Sequence, residues 1–259
     1  MGRMTISGRS HANVYDLFAP VYARVFGAQS SAALLPLLEK TILSALPAGA
    51  RVLDVCCGPA YIARELTARG LRVTGIDNSP ALLAYARQIA PHADLILADA
   101  RSFDVGTGFD AALCNYNSLC HFTCEDELAQ VFSSVGRALR RGGRFLFDVY
   151  MEPAYRRRWR GSYTVDADGF HCVVHPSYDA ERGQAHNLIK LSWSGGEAEF
   201  DLVQHCHPEE AIRSALDAAG LGLLQTFDAG RDWHIPRETG RWFFLCERPQ
   251  TKSPAAAEL

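Results

Sequence analysis

Arg51-Val-Leu-Asp-Val-Cys-Cys-Gly-Pro-Ala60, followed by Val73-Thr-Gly-Ile-Asp77, decides how this chain folds. The first stretch reads as a buried strand, a tight turn and then a helix from Tyr61 to Arg69. The second reads as a buried strand that ends in a carboxylate. A strand–turn–helix–strand whose second strand closes on an acid is the opening half of a nucleotide-binding α/β fold. Asp77 lies about 20 residues beyond the turn, where such folds place the acid that accepts ribose hydroxyls. The pattern implies a bound cofactor that contains adenosine.

The turn narrows the choice. A dinucleotide-binding turn uses three glycines so that backbone can approach a pyrophosphate. Here those places hold Cys56, Gly58 and Ala60, and Asp54 sits inside the end of the strand. These residues resemble motif I of the class I S-adenosylmethionine-dependent methyltransferases, an acid followed by Gly-Cys-Gly-Thr-Gly. The match is at Asp54, Cys57 and Gly58; Cys56, Pro59 and Ala60 depart from it. Small residues at 56 and 60 still allow close approach. Pro59 suits the first turn of a helix, where its missing N–H costs nothing. A ligand without phosphates does not need every glycine, so the departures weaken a dinucleotide reading more than this one. An ordinary strand–turn–helix of another α/β protein is the plain alternative.

At 259 residues the chain can form one domain with an insertion, or two small ones. The net charge of −3 gives no basic footprint for nucleic acid. No apolar run approaches the ~20 residues of a membrane span, and Met1 to Ser7 lack the apolar core of a signal peptide. A cytoplasmic protein is expected. The eight cysteines show no paired C-x-x-C spacing and read as reduced, mostly buried thiols. A zinc site on His205, Cys206 and His207 is disfavoured, because neighbours on a strand point to opposite faces; no metal is expected.

Apolar stripes at helical spacing mark helices over 11–27 and 30–46. Then follow strand 51–56, helix 60–69, strand 71–76, helix 79–89, strands 93–97 and 109–115, helix 124–140 and strand 143–149. The alternation argues a parallel sheet. Ser79-Pro80 marks a helix start and Arg141-Gly142-Gly143 a stop. Between 160 and 206 come short β-type runs with turn signals at Asp168-Gly169, Glu181-Arg-Gly183 and Ser194-Gly-Gly196. A helix over 208–219 and strands near 221–228 and 241–247 close the chain. The expected fold is α/β, a Rossmann-like, mostly parallel seven-stranded sheet with an antiparallel β insertion after the fifth strand. Its parts are a helical lid (1–47), a cofactor-binding core (48–152), an insertion covering the acceptor (153–206), the end of the core sheet (207–248) and a disordered tail (249–259).

Ligands of open parallel sheets bind outside the carboxyl ends of the strands. The resemblance assigns residues there. Asp54, Cys56 and Gly58 would form the turn against the cofactor. Asp77, followed by Asn78, would take the ribose. Asp99 would accept the adenine amino group, with Ala100 beside it. The backbone carbonyl of Asn115 would hold the cofactor's ammonium. Caps and loop acids are the alternative for single aspartates, but three acids at three successive strand ends favour a site. Tyr15-Asp-Leu-Phe-Ala-Pro-Val-Tyr22 resembles the Tyr-Asp-x-x-Ala-x-x-Tyr start of small-molecule methyltransferases. It implies that Tyr15 and Tyr22 reach the cofactor; core packing is the alternative, stronger for Tyr22. Asn115-Tyr-Asn-Ser-Leu-Cys-His121 resembles the loop of amino-sugar N-methyltransferases that faces the acceptor. His121, with Tyr15, is the expected catalytic group, since imidazole takes a proton or orients a hydroxyl. His121 also suits a helix cap. Arg156-Arg-Arg-Trp-Arg160 suits an acid clamp or, more simply, a solvated face. His171, His175, Tyr178, His205, Trp233 and His234 could line an aromatic lid or pack as rim.

The implied function is S-adenosylmethionine-dependent methyl transfer to a nitrogen or oxygen of a small-molecule acceptor. Two alternatives stay open: reaction of the cofactor's own carbon chain, giving methylthioadenosine, and a non-catalytic cofactor-binding module. The loop after the fourth strand lacks the Pro-Pro-aromatic signature that holds a flipped base, so no nucleic-acid partner is expected. A homodimer is left open.

Overall fold

A computed structural model describes residues 3–5 and 11–250. In chain order the elements are β1 (Arg3–Thr5), α1 (His11–Val21), α2 (Ala28–Thr41), β2 (Arg51–Val55), α3 (Tyr61–Ala68), β3 (Arg72–Asp77), α4 (Pro80–Ile89) and β4 (Asp94–Leu97). Then come β5 (Phe109–Cys114), α5 (Glu125–Ala138), β6 (Leu139–Tyr150), α6 (Glu152–Arg158) and the strands β7 (Tyr163–Ala167), β8 (Phe170–Asp179), β9 (Gln184–Trp193) and β10 (Gly196–His205). The chain ends with α7 (Glu209–Ala218), β11 (Gly222–Asp228) and β12 (Arg241–Glu247).

The main sheet has seven strands in the order β11-β12-β6-β5-β2-β3-β4, with β12 antiparallel to both of its neighbours. Alternation along each buried strand feeds two core layers. Phe145 and Phe147 pack toward α5 and α7, with Phe147 stacked on Phe244 at 5.0 Å. Leu146, Val52 and Phe243 face the layer of α2, α3 and α4. The second sheet, β1-β10-β9-β8-β7, lies in the insertion except for β1. Its apolar face, including Phe200, Leu202 and Ile189, packs on Val14, Phe18 and Val21 of α1.

Several elements differ from the sequence reading. A π turn over Tyr22–Gly27 joins α1 directly to α2, which stops at Thr41 before a 3-10 turn at Leu43–Ala45. β6 begins at Leu139, ahead of the glycine stop, because buried Leu139 already pairs with Phe109 and the Gly142 N–H donates to the Arg248 carbonyl. Residues 152–158 form α6, which buries Tyr155. The insertion strands β8, β9 and β10 run ten residues each, longer than their apolar runs. β1 pairs in parallel with the first part of β10, Arg3 opposite Glu197. The disordered tail expected from 249 onward lies, from residue 251, outside the described residues. Among the described residues no helix is long and apolar enough to cross a membrane.

One interaction joins the sheet to the loop after β5. Asp148 of β6 is fully buried. Its carboxylate accepts from Arg241 Nε at 2.8 Å and from the backbone N–H groups of Tyr116 and Asn117 at 2.8 and 3.1 Å. Both loop residues have positive φ, 64° and 58°, a conformation that costs non-glycine residues roughly 1–2 kcal/mol. The charge-assisted bonds offset that cost. Removing one partner of a buried ion pair costs about 3–5 kcal/mol. Arg241→Met is therefore expected to lower the unfolding free energy from urea titration by that amount, and adding Asp148→Asn to recover part of the loss.

Candidate active site

The carboxyl ends of β2, β3 and β5 open onto a cavity of about 1170 Å³. The turn after β2 is left-handed at Cys56, Gly58 and Ala60, with φ near 60° at each. Asp77 holds it: Oδ2 accepts from the Gly58 N–H at 2.8 Å and Oδ1 from the Ser79 N–H at 2.9 Å. Burial raises the Asp77 carboxyl above its ordinary range, against the hydrogen bonds from Ser79 and Gly58. Tyr15, Tyr22, Cys56, Gly58, Asp77, Asn78, Asp99, Ala100 and His121 all line this cavity.

Asp54 and Asn115 line a smaller recess that shares Tyr22, Cys56 and Gly58 with the large cavity. Asp54 is 4 % exposed, and burial, then the charge of Asp77, push its carboxyl up to about 7. Asn115 is also 4 % exposed, and neither its Oδ1 nor its Nδ2 has a partner. Orphaned amide atoms at this depth are costly. An α-amino acid end, bringing an ammonium and a carboxylate, would satisfy both amide atoms beside Asp54. The Asn115 backbone carbonyl accepts from Ser118 Oγ at 2.8 Å and keeps a second lone pair. These residues fit S-adenosylmethionine, whose ribose Asp77 would hold.

Asp99, expected to take the adenine amino group, has a partner within the protein. Arg101 grips its carboxylate, Nε at 3.0 Å and Nη2 at 2.5 Å, and also reaches Glu127 at 2.5 Å. The hydrogen bonds from Arg101 lower the Asp99 carboxyl below its ordinary range. Arg101 and Glu127 line the cavity too; no motif marks them in the sequence. Asp16, the second residue of the Tyr15-Asp motif, pins α1 over the site. Its Oδ1 accepts from Ser79 Oγ at 2.5 Å and from the Ala81 N–H at 3.2 Å, at the N-terminus of α4, where a negative charge is favoured.

Tyr15 and His121 meet across the cavity wall, Tyr15 Oη to His121 Nε2 at 2.9 Å. His121 Nδ1 lies 3.1 Å from the Val203 carbonyl, which can only accept. The neutral ring therefore carries its proton on Nδ1 and turns the Nε2 lone pair to the Tyr15 hydroxyl. Burial, then Tyr22 and Asp77, raise the Tyr15 phenol well above its ordinary range, so it stays protonated and donates. Ahead of α5, Glu127 accepts from the Thr123 N–H and hydroxyl at 2.6 and 2.9 Å; the N-cap residue is Cys124.

Of the six residues grouped as an aromatic lid, only His205 lines the cavity. His171 bonds Asp166 and His175 bonds Ser162 on exposed surface. Tyr178 stacks on Tyr155, and Trp233 packs on Phe227. The arginines of α6 bond Glu152, Thr239 and Glu238, away from the cavity.

Residues 52–143 match the family model described as "Methyltransferase domain". A malonyl-[acyl-carrier protein] O-methyltransferase of Enterobacter lignolyticus is 32 % identical over 188 residues, 70 % of this chain and 68 % of that protein. The chain belongs to the S-adenosylmethionine-dependent methyltransferases. A second relative, the dTDP-3-amino-3,4,6-trideoxy-alpha-D-glucopyranose N,N-dimethyltransferase of Streptomyces venezuelae, is 27 % identical over 69 % of this methyltransferase and 73 % of its own length. The fold is that of an S-adenosylmethionine-dependent methyltransferase from Clostridium acetobutylicum, with a TM-score of 0.71 at 19 % identity over 92 % of this chain and 97 % of the other.

Two outcomes test the cofactor site of this methyltransferase. Asp77→Ala is expected to weaken S-adenosylhomocysteine binding ten- to a hundredfold in calorimetry, about 1.5–3 kcal/mol for one charge-assisted interaction. Asp54, raised above its unfolded value, binds a proton on folding, so its contribution to stability is lost as pH rises from about 4 to about 7. An ammonium brought beside it drives that proton off. At pH 6, S-adenosylhomocysteine should release close to one proton, read from titrations in buffers of different ionisation enthalpy. Asp54→Asn should remove both the release and the stability slope.

Proposed function

We propose that this methyltransferase moves the methyl group of S-adenosylmethionine to a nitrogen or oxygen of a small-molecule acceptor, an amine by preference. The Tyr15–His121 hydrogen bond carries this reading, because it puts a proton-accepting pair in the same cavity as Asp77. The cavity exceeds the usual ~300–1,000 Å³ of a single-ligand site, which leaves room for an acceptor beside the cofactor. Among its described lining residues the four acids Asp77, Asp99, Glu127 and Asp201 outnumber the one arginine, Arg101, which is bonded to Asp99 and Glu127, while Asp201 bonds His186. That balance favours a cationic or neutral acceptor over an anionic one. The Streptomyces relative is named for an amino sugar; the amine is what is carried over here. A cytoplasmic setting agrees with eight free cysteines.

Bound S-adenosylmethionine supplies an electrophilic methyl carbon. The chain positions the acceptor in line and excludes water, with α1 and β10 closing over the strand ends. Tyr15 Oη accepts the acceptor's proton while its own proton passes to His121 Nε2. The imidazolium that results keeps its Nδ1–H on the Val203 carbonyl.

His121→Asn and Tyr15→Phe are each expected to lower kcat by ~10²–10⁴-fold, with S-adenosylhomocysteine affinity nearly unchanged. The double variant should be little slower than either single one, because the two groups act as a unit. Weak cofactor binding with normal turnover at saturation would place His121 on the cofactor side instead. The product separates the reactions: methyl transfer leaves S-adenosylhomocysteine, whereas reaction of the cofactor's carbon chain leaves methylthioadenosine.

A further inference from the structure

The insertion sheet does more to His121 than accept one hydrogen bond. Gln204 of β10 is 8 % exposed, and its Nε2 lies 3.3 Å from His121 Nε2. Its Oε1 accepts from the Tyr155 hydroxyl of α6 at 3.4 Å. Which end of the amide faces the ring follows from Val203. The Val203 carbonyl holds the proton on Nδ1, so Nε2 presents a lone pair. An amide oxygen turned toward that lone pair would be repelled, so the NH₂ end faces it. Tyr155, fully buried, keeps the oxygen end occupied.

We infer that Gln204 is a positioning residue for the methyl-transfer reaction, setting the tautomer of His121 and aiming its Nε2 lone pair at the Tyr15 hydroxyl. Consecutive residues of one strand act on the two nitrogens of the ring. The Val203 backbone carbonyl takes the Nδ1 proton, and the Gln204 side chain donates to Nε2 of the same ring. The donors Tyr15 Oη and Gln204 Nε2 reach one lone pair from α1 and from β10. The neutral ring is therefore favoured until a proton arrives through Tyr15. Other titratable groups stand around this segment. Cys120 precedes the ring and bonds Tyr155. His205 lies on the same strand as Gln204. His207 bonds the Leu119 carbonyl, and Glu127 bonds Thr123. Tyr22 packs on Tyr15 from the cofactor side.

The inference rests on the reading of His121 as proton acceptor, and its test separates the two. Gln204→Glu puts a carboxylate where the NH₂ group stands. A carboxylate cannot donate to the lone pair and instead draws a proton onto Nε2. The His121 titration midpoint, followed by the imidazole nitrogen resonances of the whole protein, should rise by at least about one pH unit. The acid limb of the kcat–pH profile should rise with it, so that activity lost at neutral pH returns at higher pH. Gln204→Met, of similar volume and without charge, should increase the Nε2–H tautomer and lower kcat roughly tenfold, with the KM for S-adenosylmethionine unchanged. If the Glu variant does not fold, the Met variant decides alone. Unchanged midpoint and tautomer in the variants that fold would overturn the role of Gln204. Shifted resonances without a shift in the kcat profile would uphold Gln204 as the group that sets the ring, and would remove His121 from the proton path.

Discussion

The buried pair Asp148–Arg241 is the constraint on which the acceptor side of the site depends. Two charges out of water are expensive unless every remaining donor and acceptor is used. Here the carboxylate uses its spare capacity on two backbone N–H groups of the loop after β5. Those bonds hold Tyr116 and Asn117 left-handed, which reverses the chain tightly enough to bury Asn115 on one side of the turn and start the 3-10 turn Ser118–His121 on the other. Arg241 in turn lies over the rings of Tyr116 and Phe243. The specific service of the pair is geometric: it sets where one amide and one imidazole stand relative to the end of the sheet.

Three distant segments converge on that imidazole. Tyr15 arrives from α1, Val203 and Gln204 from β10, and His121 from the β5–α5 loop. Asp16 helps α1 deliver its tyrosine by fastening the helix to the N-terminus of α4. Ser79 links the two sides of this arrangement. Its side chain caps α4 by accepting from the Leu82 N–H and donates to Asp16, while its backbone N–H binds Asp77. The helix over the site and the acid beneath it are therefore positioned by one residue.

Much of this was legible in the chain, for reasons that are local. Apolar runs such as Ala111 to Cys114, separated by helical periodicity, announce a parallel sheet, and Ser79-Pro80 announces the start of α4 whatever surrounds it. Acids at successive strand ends are visible because a strand end is a local feature. What stayed hidden is tertiary. Nothing near Asp148 in sequence names Arg241, 93 residues away. Arg101 looks like a loop cation until Asp99 and Glu127 are seen on either side of it. α6 is hidden by Pro153 and a run of arginines, although burial of Tyr155 on one face is what makes it a helix. The ends of β8 to β10 carry His, Lys and Glu side chains on the outer face, so the apolar pattern marks only part of each strand. Gln204 reads as one polar position in such a strand, and only its depth makes it notable.

β10 has a further property as the border of its sheet. Among the described residues β1 pairs with it from Glu197 to Glu199. Farther along the same edge the Val203 carbonyl is taken by the His121 ring. Exposed strand edges invite pairing with other chains, and proteins usually block them with charge, proline or a bulge. Here a side chain from another part of the fold occupies one carbonyl of that strand, which couples this part of its protection to the integrity of the site. Any change that withdraws the ring from Val203 frees a backbone acceptor on a ten-residue strand. Sticky, self-associating protein is then a foreseeable companion of altered turnover.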